Sequence, residues 1–149
     1  MSIVFDENLR LGHPGIDRQH QEMLEQINKL SEKLTEGADD IEVRDVLDFL
    51  YAYANKHFFE EEKLMQSCNY YGLYKQQKAH AQFKQETQDL QQMLRKKRSS
   101  LDLAHQVETS LFKYFIEHID GLDREFADYL KMNNLQAFKI TAPGAPLKP

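Results

Sequence analysis

Imidazole, carboxylate and amide side chains stand at positions of the sequence where a helix would otherwise carry apolar core residues. They share the phase of neighbouring leucines and phenylalanines, which predicts that they point inward. The set comprises His20, His57, Glu61, Gln76, His80, His118 and Asp123. A buried carboxylate without a partner is costly or becomes neutral by protonation. Cations bound among these groups would supply the missing charge, and imidazole nitrogen with carboxylate oxygen suits iron, manganese or zinc.

The size of this set favours two metal ions over one. Taken singly, a histidine on an apolar stripe is more often a satisfied core residue than a ligand. Four imidazoles and two carboxylates, however, exceed what one ion needs when some coordination positions must stay open. His57 and Glu61 are four residues apart and therefore share one helix face. Two metals bridged by Glu61 and Asp123 are the simplest arrangement.

Four amphipathic helices are predicted to position these residues. Apolar residues recur every three or four positions, and glycine and proline are scarce between Gly15 and Leu135. The predicted helices run from Asp17 as N-cap to Leu34, from after Asp40 to Ser67–Gly72, from Leu73 into the basic cluster Arg95–Arg98, and from a cap at Ser99 or Ser100 to about Leu130. Short connections predict an all-α, up-down-up-down four-helix bundle. Residues 1–135 are expected to form the bundle with an N-terminal arm, and residues 136–149 a C-terminal tail.

Composition narrows the class of protein. The chain has 149 residues, of which 41% are hydrophobic and 29% charged, enough for one globular domain. The net charge of −5 argues against a nucleic-acid partner. The single cysteine, Cys68, has no partner for an intrachain disulfide, and acidic residues near the start argue against a signal peptide. No apolar stretch approaches the roughly 18 residues that span a bilayer. We therefore expect a cytoplasmic monomer with no membrane partner.

Two well-known signatures of metal sites are missing from the sequence. No histidine has a glutamate three residues earlier, as ferritin-like bundles require, and the HExxH pattern is absent. The chain instead contains IDRQHQEML at 16–24, HFFEEEKLM at 57–65, QQKAHAQF at 76–83 and HIDGLD at 118–123. With these four motifs in this order, the chain resembles the hemerythrin family, most closely its single-domain bacterial members, over roughly residues 1 to 132.

The resemblance implies a non-haem diiron centre in a four-helix bundle that binds O2 reversibly. Such a centre holds two iron ions bridged by carboxylates and an oxo or hydroxo group. The matching positions assign His20 and His57 to one iron, His80 and His118 to the other, and Glu61 and Asp123 to the bridge. In this family the iron with fewer histidine ligands is the one that binds O2.

One ligand position departs from the family pattern. The third-helix motif of the family is HxxxH, and Gln76 occupies its first histidine position. The iron that has three imidazoles in the family is therefore left with His80 and His118. Three outcomes stay open: Gln76 binds through its amide oxygen, water takes the position, or that metal is lost. An open position would favour chemistry over reversible O2 carriage and speed autoxidation.

The residues expected to wall the site also depart from the family pattern. Tyr114 and Phe115 stand where many bacterial members have a Trp-Leu pair, and Phe5 stands where many have tryptophan. We expect Phe115 to face the site and the Tyr114 hydroxyl to need a partner. Met23 and Phe58 are expected to complete an apolar wall. For Tyr114 and Phe115 the interpretation as ordinary core aromatics is favoured over a role in the site.

Several polar residues are expected to lie outside the site. His13 is expected in a loop near the open end of the bundle, where it is a weak candidate for a replacement ligand, and His105 on the solvated face. Cys68 is interpreted as a structural thiol. Of the run Glu60 to Glu62, only Glu61 has the inward phase, and its two neighbours are expected in solvent.

Three classes of function remain compatible with the sequence. The first is an O2-binding diiron protein for storage, delivery or sensing, which we favour over an enzyme. The second is an enzyme-like diiron protein that consumes O2, peroxide or nitric oxide, and the missing imidazole at Gln76 favours it. The third is a degenerate or iron-storage bundle. Reversible binding, turnover with a reductant, and low metal content would distinguish them.

Overall fold

The computed structural model describes residues 2–135, and the predicted four-helix bundle is confirmed. A short 3-10 helix, Glu7–Leu9, precedes the bundle. The first three long helices are α1 (Pro14–Glu36), α2 (Asp40–Ser67) and α3 (Leu73–Arg95). The fourth bundle helix is a continuous run of α4 (Ser100–Gln106), a π-helical segment π1 (Val107–Phe112), α5 (Lys113–His118), a second π-helical segment π2 (Ile119–Asp123) and α6 (Arg124–Met132). The predicted tail at 136–149 lies outside the described residues.

The predicted cap of the first helix is wrong by one turn. The helix begins at Pro14, whose fixed φ suits a first helical position, and His13 Nδ1 accepts the Ile16 N–H at 3.2 Å. Asp17 lies inside the helix, where its carboxylate accepts the N–H groups of Leu11 at 2.8 Å and Gly12 at 3.1 Å. Asp17 therefore holds the preceding arm against the bundle instead of capping α1.

The fourth bundle helix has the predicted cap, Ser99, and the second bundle helix begins at Asp40 with Asp39 as its cap. The Asp39 carboxylate accepts the Glu42 N–H at 2.9 Å, and the Ser99 hydroxyl accepts the Asp102 N–H at 3.1 Å. Both contacts satisfy a helix N–H that has no partner within its own helix. These short polar caps allow tight connections, which bring consecutive helices back alongside one another.

The π2 segment brings two polar residues of the fourth bundle helix to the same side. Asp123 follows His118 by five positions, and five positions span about 1.4 turns of an α-helix, which would turn Asp123 away from the core. The π-helical turn closes i→i+5 hydrogen bonds and so accommodates the additional residue. His118 Nε2 consequently lies 3.1 Å from Asp123 Oδ1.

Apolar layers enclose the polar centre from both ends of the bundle. Ile27, Leu30 and Leu34 follow His20 along α1, and the residues before it include the buried Leu11 and Ile16. Apolar residues likewise flank the polar pair of α2 on both sides. In the described part of the chain, no helix is both long and apolar enough to cross a membrane.

Candidate metal centre

The seven polar residues predicted to point inward are all buried in the structure. Six of them form two groups whose candidate ligand atoms lie within 4.8 Å of one another. The groups are His20, His57 and Glu61, and Glu61, His80, His118 and Asp123. Because Glu61 belongs to both groups, the two lie side by side and share a carboxylate.

Each oxygen of Glu61 faces a different group of imidazoles. Oε2 lies 3.2 Å from His57 Nε2 and 3.6 Å from His20 Nε2, whereas Oε1 lies 3.2 Å from His80 Nε2. Asp123 repeats this arrangement, with Oδ2 at 3.0 Å from His20 Nε2 and Oδ1 at 3.1 Å from His118 Nε2. Both carboxylates therefore reach from the half of the centre that contains His20 and His57 to the half that contains His80 and His118.

The polar atoms at the middle of the centre fit a metal better than they fit one another. Ring nitrogens and carboxylate oxygens approach to 3.0–3.6 Å, yet several lack any partner in hydrogen-bond geometry. These unpartnered, fully buried atoms include His20 Nε2, Glu61 Oε1 and Oε2, Gln76 Oε1, His80 Nε2, His118 Nε2 and Asp123 Oδ2. Buried polar atoms are normally satisfied. Their convergence without mutual hydrogen bonds is the arrangement that cations would satisfy.

The electrostatics of the centre favour bound positive charge. Burial lowers the pKa of His20, but contacts with Asp123 and Glu61 outweigh burial and raise it to about 10. Burial also lowers the pKa of His80, whereas Glu61 and Glu62 raise it to about 9. Burial raises the pKa of Glu61, but His57 and the other imidazoles hold it well below its usual range. The carboxylates thus stay ionised, and protons or metal ions must balance them.

Gln76 lies inside the centre, at 1% exposure, one helical turn before His80. Its amide Nε2 donates to Asp123 Oδ1 at 3.1 Å. Its carbonyl Oε1 has no hydrogen-bond partner and is buried. Gln76 therefore positions Asp123 through one end of the amide and presents a free oxygen at the other.

The prediction that the neighbours of Glu61 are solvated is wrong. Glu60 is buried and its Oε2 accepts the Gln19 amide N–H at 2.7 Å, while Gln19 Oε1 lies 2.7 Å from His57 Nδ1. Glu62 Oε2 lies 2.7 Å from His80 Nδ1. Helical phase alone misses such residues, because a long side chain at the edge of a buried face can reach around to it. Their position beside candidate ligands was the available signal, since metal-binding histidines usually donate their second N–H to a partner.

Three of the four predicted wall residues contact an imidazole. Phe58 stacks on His80 with ring centroids 4.0 Å apart, and Phe115 meets His20 edge-on at 6.0 Å. Tyr114 stacks on His118 at 5.3 Å and donates its hydroxyl to the Ala79 carbonyl. The fourth, Met23, is buried in the core.

In the described part of the chain, the residues predicted to lie outside the site are indeed outside it. His13 is the cap of α1, and His105 is exposed on α4, so neither belongs to the two ligand groups. Cys68 is a buried free thiol at the end of α2. Phe5 is partly buried against the core, with the Arg10 guanidinium over its ring at 5.6 Å.

A four-helix bundle with imidazoles and carboxylates converging at its centre defines a metal-binding bundle protein. The family model described as the Hemerythrin HHE cation binding domain matches residues 12–130. The chain therefore belongs to the hemerythrin family, as its four motifs predicted, and this membership supports a non-haem iron-binding protein.

Similar proteins cover most of the chain. It is 26% identical over 129 residues to a bacteriohemerythrin of Stenotrophomonas maltophilia, covering 87% of this chain and 82% of that protein. A Pseudomonas aeruginosa bacteriohemerythrin is 23% identical over 142 residues, 95% of this chain and 90% of its own length. A myohemerythrin of Riftia pachyptila is 25% identical over 123 residues, with 83% and 89% coverage.

Proposed function

We propose that this chain is a non-haem diiron protein that binds O2 reversibly. The observation that carries the proposal is the position of Glu61 and Asp123, each of which spans both halves of the centre. Membership of the hemerythrin family supports the same function. In this proposal His20 and His57 would hold one iron, His80 and His118 would hold the other with Gln76 beside them, and Glu61 and Asp123 would supply carboxylate oxygens to both.

The protein would contribute charge, orientation and a dry environment. Two bound ferrous ions would supply the electrons that O2 binding requires. Glu61 and Asp123 balance the positive charge, and burial lowers the pKa of His57, which keeps its imidazole in the neutral form that binds metal. Phe58 lies against the His80 ring and Phe115 lies against the His20 ring, so an apolar side chain excludes water from each half of the centre. Exclusion of water strengthens each of these electrostatic contacts.

Exposure of the iron-loaded protein to O2 tests this function. The chain is loaded with ferrous iron under argon, exposed to O2 and then returned to argon, while its visible absorption is recorded. We expect a spectral change that develops with O2 and reverses when O2 is removed. A change that never reverses, or no change in a protein that holds two irons, would contradict reversible O2 binding.

Gln76 favours a second candidate function, an enzyme-like diiron protein that reacts with O2, peroxide or nitric oxide. The amide oxygen of Gln76 is a weaker donor than imidazole, and its side chain is already engaged with Asp123. A less tightly held iron leaves a coordination position for chemistry. Repeated consumption of oxidant in the presence of a reductant would distinguish this function from stoichiometric, reversible binding.

Replacement of Gln76 by histidine tests the role of this position. We expect Gln76→His to raise iron occupancy at sub-saturating iron and to slow autoxidation, because it restores a third imidazole to that half of the centre. The measurements are iron per chain and the rate of spectral decay in air. Gln77→His, at the exposed neighbouring position, is the matched control. If Gln76→His behaves like Gln77→His, the missing imidazole has no part in the chemistry.

A further inference from the structure

The four imidazoles of the centre differ in what their outward ring nitrogen meets. His57 Nδ1 faces the neutral amide oxygen of Gln19 at 2.7 Å. His118 Nδ1 faces the Tyr114 hydroxyl at 3.3 Å, and His20 Nδ1 has no hydrogen-bond partner among the described residues. His80 Nδ1 meets a carboxylate, Glu62 Oε2, at 2.7 Å. His80 is thus the one imidazole of this cluster with a charged outer partner.

The contact with Glu62 determines the state of the His80 ring. An ionised carboxylate only accepts hydrogen bonds, so Nδ1 carries the proton and donates it. In the neutral ring that binds metal, the lone pair then lies on Nε2, the atom that faces Glu61 Oε1 at 3.2 Å. A carboxylate partner on the outer N–H also increases the basicity of the inner nitrogen, and loss of such partners typically weakens metal binding 10–100-fold.

His80 lies in the half of the centre that carries Gln76. That half offers the imidazoles of His80 and His118, with an amide oxygen at the position of the third ring. In the other half, the outer ring nitrogen of His57 meets the neutral amide of Gln19. The charged outer partner is therefore placed on the half in which an amide oxygen occupies the position of a third imidazole.

We propose that Glu62 is a positioning residue that compensates for Gln76 by strengthening His80 as a donor. This inference rests on the proposed diiron function. It assigns to Glu62 a role specific to one half of the centre, through the charge of its carboxylate. The role is distinct from helix stability, because the Glu62 side chain is 22% exposed and lies at the edge of the core.

A double-mutant cycle between Glu62 and Gln76 tests the proposal. The metal-free forms of the native chain, Glu62→Gln, Gln76→His and the double variant are titrated anaerobically with ferrous iron against a competing chelator. We expect Glu62→Gln to weaken one of the two binding constants about tenfold or more in the native background. In the Gln76→His background we expect a loss of less than about threefold, because the third imidazole removes the need for compensation.

Glu117→Gln is the matched control, since it removes the same charge from an exposed position on α5 outside the two ligand groups. It should leave both binding constants within about threefold of native. Circular dichroism verifies that each variant keeps its helices, and Glu62→Ala replaces Glu62→Gln if the latter does not fold.

The outcomes separate this inference from the proposed function. Two irons bound equally well by the native chain and Glu62→Gln would overturn the inference and leave the diiron function standing. An equal loss in both backgrounds would also overturn it, because a general structural role does not depend on residue 76. A native chain that binds one iron or none would overturn both.

Discussion

Glu61→Gln is expected to lower the iron content of the purified chain from about two per chain to below about one. Glu61 is fully buried and belongs to both ligand groups, with one oxygen 3.2 Å from His57 and the other 3.2 Å from His80. The amide of glutamine keeps the shape but removes the charge that both metals would share. Iron and protein concentration are measured on the same anaerobically loaded sample.

The matched control for this change is Glu117→Gln, an exposed glutamate on α5 outside the two ligand groups. It should load as the native chain does. Circular dichroism should show the same helical content for both variants, since the amide fits the space of the carboxylate. Two irons per chain in Glu61→Gln would mean that this carboxylate does not hold the metals.

Phe83→Ala is expected to destabilise the fold by about 3–5 kcal/mol. Phe83 is fully buried on α3, where its ring meets Phe58 edge-on at 5.7 Å and Tyr114 at 5.3 Å. Alanine would leave a cavity behind two of the residues that contact ligand imidazoles. Urea unfolding of the metal-free chain measures the loss without a contribution from bound metal.

Phe59→Ala provides the control for this prediction. Phe59 is 63% exposed on α2, and its ring carries the Lys63 ammonium at 5.5 Å from the centroid. Its removal should change the free energy of unfolding by no more than about 1 kcal/mol, as expected for an exposed site. Equal losses for Phe83→Ala and Phe59→Ala would contradict the packing described for the core.

The helices and their order could be predicted because apolar periodicity and capping residues act locally. Ser99 caps the fourth bundle helix, as its type indicated, and α2 begins within the acidic pair after which it was expected. The start of α1 could not be placed by the same argument, because two residue types compete for the cap. His13 accepts the Ile16 N–H, while Asp17 is used for contacts with the arm, which depend on tertiary structure.

The inward orientation of the polar residues could be predicted from their helical phase. In the fourth bundle helix this orientation also requires a π-helical turn. Asp123 follows His118 by five residues, and the π-helical turn that aligns them is visible only in the structure. Gln19, Glu60 and Glu62 were not predicted as part of the site. Phase separates buried from exposed positions, but it does not show how far a long side chain at the boundary can reach.

The number of irons that one folded chain binds is the most direct measurement of the central claim. The metal-free protein is titrated with ferrous iron under argon, and bound iron is compared with the concentration of folded chain. The shared positions of Glu61 and Asp123 predict an endpoint at about two irons per chain. An endpoint at one or below would contradict a diiron centre, and with it the proposal that the chain binds O2 at two irons.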